Sequence, residues 1–372
     1  MASQTRRTLR ATNWPLVVAC LLLTILGIFT IQSADLHTSD ASGEYKKQIF
    51  YAFLGIALMG VFSRIDYRQL QRAAPILYGI NLLLLLFILK GGHSALGAQR
   101  WIKLGPLGTF QPSEPAKLIL AISIAYVLCK WEYGRIQDIW RPLLAVGIPA
   151  LLILKQPDLG TTLVILAILS AQLFFGLPKL QHFGAYALGV IGAAAFTVGT
   201  KYILKPFQKD RLLVFLKPNA DPQGAGYNLN QSKIAVGSGQ LFGRGLHHGT
   251  QTQLNFVPEH SRDFIFTVVG EELGFFGALL LVTLYGVVLA GGIRAMLAAR
   301  DRFAFLLAAG IVAMLTFHII VNIGMTIGIM PITGIPLPFM SYGGSAILTD
   351  YAAIGVLLNI YSQKDREFLG HA

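Results

Sequence analysis

The sequence predicts an all-α polytopic membrane protein with about ten transmembrane helices, and three observations carry that prediction. Charged residues are 13% of the chain, about half the ~25% of an ordinary soluble domain. Apolar residues make up 54% and the mean hydropathy is +0.59, so the polar exterior that a soluble fold needs is missing. Third, the apolar residues gather in runs of bilayer length separated by short polar segments.

Those runs fall at 14–33, 47–63, 73–90, 114–130, 142–155, 159–176, 184–204, 264–290, 303–329 and 342–361. The fifth is the shortest. Arg6, Arg7 and Arg10 precede the first run as they would in a signal peptide, but that run is long for one and reads as a retained span. Small residues at four-residue spacing, such as Gly270, Gly274 and Ala278, suit close helix packing in lipid. The chain reads as a single transmembrane domain over 1–372.

Ten spans put both termini on one side. Lys and Arg divide evenly between the two sides, but eight of the outer ones lie in one long loop, 201–262. Long loops translocate largely regardless of charge, so the short loops decide and both termini are cytoplasmic. The net charge of +12 is scattered between hydrophobic stretches, which fits topology signals and contacts to membrane lipids and argues against nucleic acid. Cys20 and Cys129 are the only cysteines, so no disulfide framework or thiolate metal site is expected.

The outer segments are 91–113, a break at 156–158, the loop 201–262 and the Pro/Gly-rich 330–345. A loop as long as 201–262 is functional or disordered more often than idle, and its amphipathic stretches at 207–216 and 229–236 predict partial order against the membrane surface. Chemistry is expected on this face.

Four groups of residues qualify. Ser113 is placed to N-cap the fourth span, with Pro115 in its first turn; Glu114 and Lys117 then share a helical face at i, i+3 and can pair. Trp101 suits either a cavity wall or an interfacial anchor. Asp158 opens the sixth span, where an Asp is a helix N-cap by default and a polar ligand contact besides. In the long loop, basic residues including Arg211 and Lys233 accompany seven glycines between Gly224 and Gly249, a candidate diphosphate cradle without phosphate-loop spacing. Asp263 opens the eighth span, and position alone favours a cap over a base. Glu271 and Glu272 lie within that span, and Asp350, His318 and Asn322 in the last two suggest interhelical hydrogen bonds.

Six strings occur in order: GAQRWIKLGPLGTFQPSEPAKL, KQPDLGTT, DPQGAGYNLNQSKIAVGSG, GTQTQLNFVPE, DFIFTVVGEELG and GIPLPFMSYGGSA. Together they resemble the SEDS family of bacterial shape, elongation, division and sporulation proteins over nearly the whole chain. The resemblance implies a ten-helix peptidoglycan glycosyltransferase of the bacterial cytoplasmic (inner) membrane that polymerises lipid II at the outer face during elongation. It further implies a class B penicillin-binding protein as partner, Asp263 as the catalytic carboxylate, and functional roles for Trp101, Glu114 and Lys117. One departure stands out: family members usually carry His-Thr before the Asp, where this chain has Ser261 and Arg262.

The chemistry suits the residues. A sugar on a polyprenyl diphosphate has a good leaving group, so one carboxylate base is enough to activate an acceptor hydroxyl. An α-linked donor attacked directly gives a β-linked product, an inverting transfer. Arg100, Trp101, Glu114, Lys117, Asp158, Arg211 and Lys233 form the expected substrate-binding set. A divalent cation could assist the diphosphate, although the residues suggest no dedicated metal cage. Two other readings are a lipid-linked-sugar flippase and a non-catalytic scaffold for the penicillin-binding protein. Against the flippase, ionisable groups cluster at one face and no internal repeat is visible.

Overall fold

The computed structural model describes residues 12–35, 43–91, 93–95, 98–103, 105, 108–199, 211, 214–215, 224–254, 256 and 259–365. Arg6, Arg7, Arg10, Lys201, Lys205, Lys209 and Lys217 lie outside these, as does most of the expected amphipathic stretch 207–216.

Long helices follow the apolar runs: α1 Trp14–Asp35, α2 Glu44–Arg64, α3 Tyr67–Gly91, α4 Ser113–Lys130, α5 Trp140–Lys155, α6 Leu159–Gly176 and α7 Leu180–Gly199. After the long loop's α8 Ala225–Ser238 and the single turn α9 Thr250–Gln253 come α10 Ile265–Leu297, α11 Arg302–Ile327 and α12 Gly344–Ser362. Among the described residues seven helices are long and apolar enough to cross a membrane: α1, α3, Ile136–Lys155, α6, α10, α11 and α12. The protein is thus a multi-pass helical membrane protein. Helices α2, α4 and α7 stand where the other three spans are expected.

One small sheet interrupts the helices, which the hydropathy pattern does not reveal. Strands β1 His93–Ala95, β2 Ala98–Lys103 and β3 Thr109–Phe110 form an antiparallel meander in the segment between α3 and α4. Helices α11 and α12 are buried along most of their length and lie at the centre, with α2 packed along α12 and α6 along α11. Two close approaches rest on glycine: a Cβ at Gly355 would come within 2.7 Å of Met59 O, and one at Gly27 within 2.7 Å of Met340 O.

The feature that places the site is a break in α10. At 33 residues a straight helix would be about 50 Å long, against a hydrocarbon core of about 30 Å. The helix runs beside α1 from just before the break, at the Ser33–Glu272 hydrogen bond of 2.6 Å, to the Asn13–Gly291 one of 3.2 Å. At Gly274 the backbone leaves helical geometry (φ 63°, ψ −159°), and the segment 265–273 turns aside into the protein, almost every residue buried.

A break inside a membrane helix strands backbone groups that must find partners in the protein. The turn after α8 supplies them. Arg244 N donates to Glu271 O and Gly245 N to Glu272 O, both at 3.0 Å; Phe275 N donates to Gln240 O at 2.9 Å and Phe276 N to Leu241 O at 3.2 Å. The approach is close enough that a Cβ at Gly239 would stand 1.9 Å from Gly270 O, and one at Gly243 2.1 Å from Glu272 O. Gly239 and Gly243 therefore serve helix-to-loop packing. Glu271 completes the arrangement by accepting from Gln251 N at 2.8 Å, Thr252 N at 3.0 Å and Thr252 Oγ1 at 2.8 Å, which caps α9.

Gly243 has φ +78° besides its backbone contact, so Gly243→Ala should lower stability by more than about 1 kcal/mol. Gly237→Ala, where an added Cβ meets nothing within 4 Å, should leave the melting temperature unchanged or slightly raised. Thermal unfolding of the two variants side by side checks both.

Candidate functional site

The redirected segment of α10 ends at Asp263, which is half-buried. The N-cap of α10 is Phe264, with no side-chain capping bond, and no hydrogen bond to the Asp263 carboxylate occurs among the described residues. This corrects the position-based expectation that Asp263 is a cap. Its backbone, by contrast, is held firmly. Asn322, fully buried on α11, donates to Asp263 O at 2.8 Å and to Ile335 O at 2.7 Å. Ser341 Oγ donates to Arg262 O at 2.6 Å, and Tyr342 N to Ser261 O at 2.9 Å. The segment 261–263 is thereby pinned to the Pro/Gly-rich loop before α12.

Three guanidinium groups surround the carboxylate. A Cβ at Gly334 (φ +71°) would stand 3.1 Å from Asp263 Oδ2 and 3.4 Å from Arg211 Nη1, so the two charged groups meet across that glycine. Arg100 and Arg262 also act on Asp263 electrostatically. Burial pushes the Asp263 carboxyl up, with Glu259 adding to the rise, while Arg211, Arg262 and Arg100 oppose it; the outcome is about 6. Desolvation therefore outweighs three cations.

The arginines differ in how far they are committed. Arg262 is paired twice, to Glu44 Oε1 at 3.2 Å and Glu259 Oε2 at 3.1 Å. Ser261 Oγ donates to the other oxygen of the same Glu44, at 2.8 Å. The two residues that depart from the usual family pattern thus share one carboxylate at the start of α2. Arg100 projects from β2 to the corner between α5 and α6, where Nε donates to Gln156 O at 3.0 Å, Nη2 donates to Pro157 O and Nη1 stands 3.8 Å from Asp158 Oδ1. Strand alternation sends its neighbour Trp101, half-buried, to the opposite face. Arg211 feels Asp263, Arg100 and Asp158 together.

Asp158 caps α6 as expected, accepting from Thr161 N at 3.2 Å, and more besides. Its other oxygen accepts from Thr161 Oγ1 at 3.0 Å, Gln111 Nε2 at 3.1 Å and Ser113 Oγ at 3.2 Å. Ser113 is accordingly a donor to Asp158 and not the N-cap of α4; that place is taken by Pro112, without a side-chain bond.

Glu114 and Lys117 form the expected i, i+3 pair at 2.8 Å, 5% and 2% exposed. Lys117 Nζ also donates to His318 Nε2 at 3.2 Å, which leaves Nδ1 as the proton-bearing nitrogen, donating to Pro336 O at 3.1 Å. His318 sits one turn from Asn322 on α11, so both charged clusters fasten to the same loop, one at Pro336 and the other at Ile335. Lys233 makes no bond to either cluster among the described residues. Its ammonium lies against Gly328, the left-handed C-cap of α11, where a cation offsets the helix's negative end. No group of three or more His, Cys, Asp or Glu is placed to hold a metal among the described residues.

The fold and site define a polytopic membrane protein with a desolvated carboxylate among guanidinium groups on one membrane face. The family model of cell cycle proteins of the FtsW, RodA and SpoVE type matches residues 14–366, and the chain belongs to this family, known also as SEDS. It is 36% identical over 357 residues to the peptidoglycan glycosyltransferase MrdB of Escherichia coli K12, covering 94% of this chain and 92% of that protein. A chain from a structure on coordination of polymerization and crosslinking by a peptidoglycan synthase complex superposes with TM-score 0.81 at 30% identity, covering 95% of this chain and 98% of that one. The Thermus thermophilus rod shape-determining protein RodA gives 0.71 at 29%, with 95% and 97% covered.

Breaking a buried ion pair by removing one partner costs about 3–5 kcal/mol. Lys117→Met should therefore destabilise strongly, whereas Glu114→Leu with Lys117→Met should recover most of the lost stability. Recovered stability with activity still absent, measured on the double variant, assigns the pair to function beyond packing.

Proposed function

We propose that this protein is a peptidoglycan glycosyltransferase that polymerises lipid II at the outer face of the bacterial cytoplasmic membrane, with Asp263 as general base. The observation that carries the base assignment is a carboxylate with a fixed backbone, no hydrogen bond to its oxygens among the described residues and a pKa raised to about 6. A base is most useful when its pKa lies near the working pH and its lone pairs are free for the substrate proton. Membership of the family and the likeness to MrdB and RodA support the glycosyltransferase reading.

In the proposed step Asp263 accepts the proton of an acceptor sugar hydroxyl as that oxygen attacks the anomeric carbon of the donor. The bond to the polyprenyl diphosphate breaks on the opposite side, so an α-linked donor gives a β-linked product. Negative charge grows on the departing diphosphate. Arg211, with Arg100 behind it, is placed to stabilise that charge in a partly water-excluded site. The N-terminal end of the redirected α10 segment adds its dipole in the same direction. Arg262, already paired with two carboxylates, serves to fix the loop.

The proposed membrane arrangement has ten spans and cytoplasmic termini, with 201–262 outside. A class B penicillin-binding protein is the proposed partner, in keeping with the synthase complex that contains one structural neighbour.

Lipid II polymerisation by purified protein, with and without the cognate penicillin-binding protein, tests the reading. Asp263→Asn should lose roughly a hundred- to ten-thousandfold in rate. Because the folded state binds the Asp263 proton more tightly than the unfolded chain, ionisation destabilises the fold as pH rises from the ordinary carboxylate range through about 6. At neutral pH the Asn variant should therefore melt no lower than wild type. Normal polymerisation by the Asn variant refutes the base assignment, and an inert wild type with its partner present refutes the polymerase. Arg211→Ala should cost roughly a hundred- to a thousandfold and, with one cation gone, move the pH at which activity appears upward.

A further inference from the structure

At the end of the bundle opposite Asp263, α3, α4 and the start of α11 line an open cavity of about 350 Å³. Its lining includes Arg68, Arg72, Arg302, Asp301, Cys129 and Phe303. Arg302 begins α11, and Asn322, which holds Asp263, lies twenty residues along that helix. That is about 30 Å, one hydrocarbon thickness, so the cavity opens at the far membrane face.

Its charge is unbalanced. The one carboxylate, Asp301, is already engaged three times: Oδ1 accepts from Ala304 N at 2.8 Å as the N-cap of α11, and Oδ2 accepts from Tyr67 OH at 2.7 Å and stands 3.8 Å from Arg68. Arg302 gives one donor to Gly176 O at 2.6 Å and keeps the others. Arg72 makes no hydrogen bond or ion pair among the described residues. Three guanidinium groups therefore face a cavity whose only anion is consumed by its neighbours. Beside them Phe303 and the half-buried Cys129 give an apolar wall. Cationic donors above an apolar wall, between helices and at headgroup depth, match a phosphate ester joined to acyl chains.

We infer that this cavity binds the headgroup of an anionic phospholipid from the leaflet opposite the Asp263 face. Arg72 and Arg302 contact the phosphate, Arg68 lies at the rim and the glycerol end rests on Phe303 and Cys129. The site is separate from the glycosyltransferase centre and does not depend on that assignment.

Cys129 is a built-in reporter, since Cys20, the other cysteine, is fully buried. The full chain is placed in phosphatidylcholine nanodiscs and in discs with about 20% phosphatidylglycerol, and N-ethylmaleimide labelling of Cys129 is followed by mass spectrometry. Phosphatidylglycerol should slow labelling roughly fivefold, the effect of one basic side chain at an anionic surface. Arg72→Gln should abolish the slowing and Arg72→Lys should keep most of it. Arg72 is exposed and makes no hydrogen bond or ion pair among the described residues, so neither change threatens the fold. Equal slowing in Arg72→Gln shows a surface-potential effect and overturns the site, as does no slowing at all. Slowing by inorganic phosphate in pure phosphatidylcholine discs overturns the lipid assignment in favour of a soluble anion.

Discussion

Backbone groups cannot stay unpaired inside a membrane, and the rest of this structure follows from how α10 meets that constraint. The helix is too long to cross straight and breaks at Gly274. Four hydrogen bonds with 240–245 heal the break, which makes the long loop an integral part of the helix. Residues 265–273 can then run through the protein with Asp263 at their leading end. Close backbone approach demands glycine at 239 and 243.

The second level of organisation is electrostatic. Burial raises the Asp263 carboxyl to about 6 even though Arg211, Arg262 and Arg100 all favour its charged form. Glu44 and Glu259 take up Arg262, and Asp158 with two carbonyls takes up Arg100. Without that division of labour, more cationic charge would fall on Asp263, and a lower pKa would make it a weaker base. Ser261 and Arg262, adjacent in sequence, both terminate on Glu44 and so hold the segment before Asp263 to the start of α2.

What the sequence made legible is local. Leu- and Ile-rich runs gave the helices, because hydropathy over twenty residues reports lipid exposure directly. The Asp158 cap and the Glu114–Lys117 pair follow from residue type at fixed spacing. The failures are equally instructive. Ser113 begins its helix but donates to Asp158, 45 residues away, and Asp263 leaves α10 uncapped. Asn322, 59 residues from Asp263, was recognisable only as an intramembrane polar group; its position one turn from His318 was the available clue to a shared anchoring loop. The Gly274 break carried no signal beyond a glycine within an apolar run, and the Glu44 contact of Ser261 spans 217 residues. Pairings at such separations are set by tertiary folding and leave no periodic trace.

The central claim is that one desolvated carboxylate, held by its backbone and without a hydrogen bond to its oxygens among the described residues, is the base. The dependence of kcat/KM on pH for lipid II polymerisation by the wild-type protein with its partner tests it most directly. The account predicts a rate that rises with a single ionisation near 6, the value set by burial of Asp263, and levels above it, since only the ionised form accepts a proton. A profile that is flat through that range, or that rises with a midpoint in the ordinary range of an exposed carboxylate near 4, would contradict it.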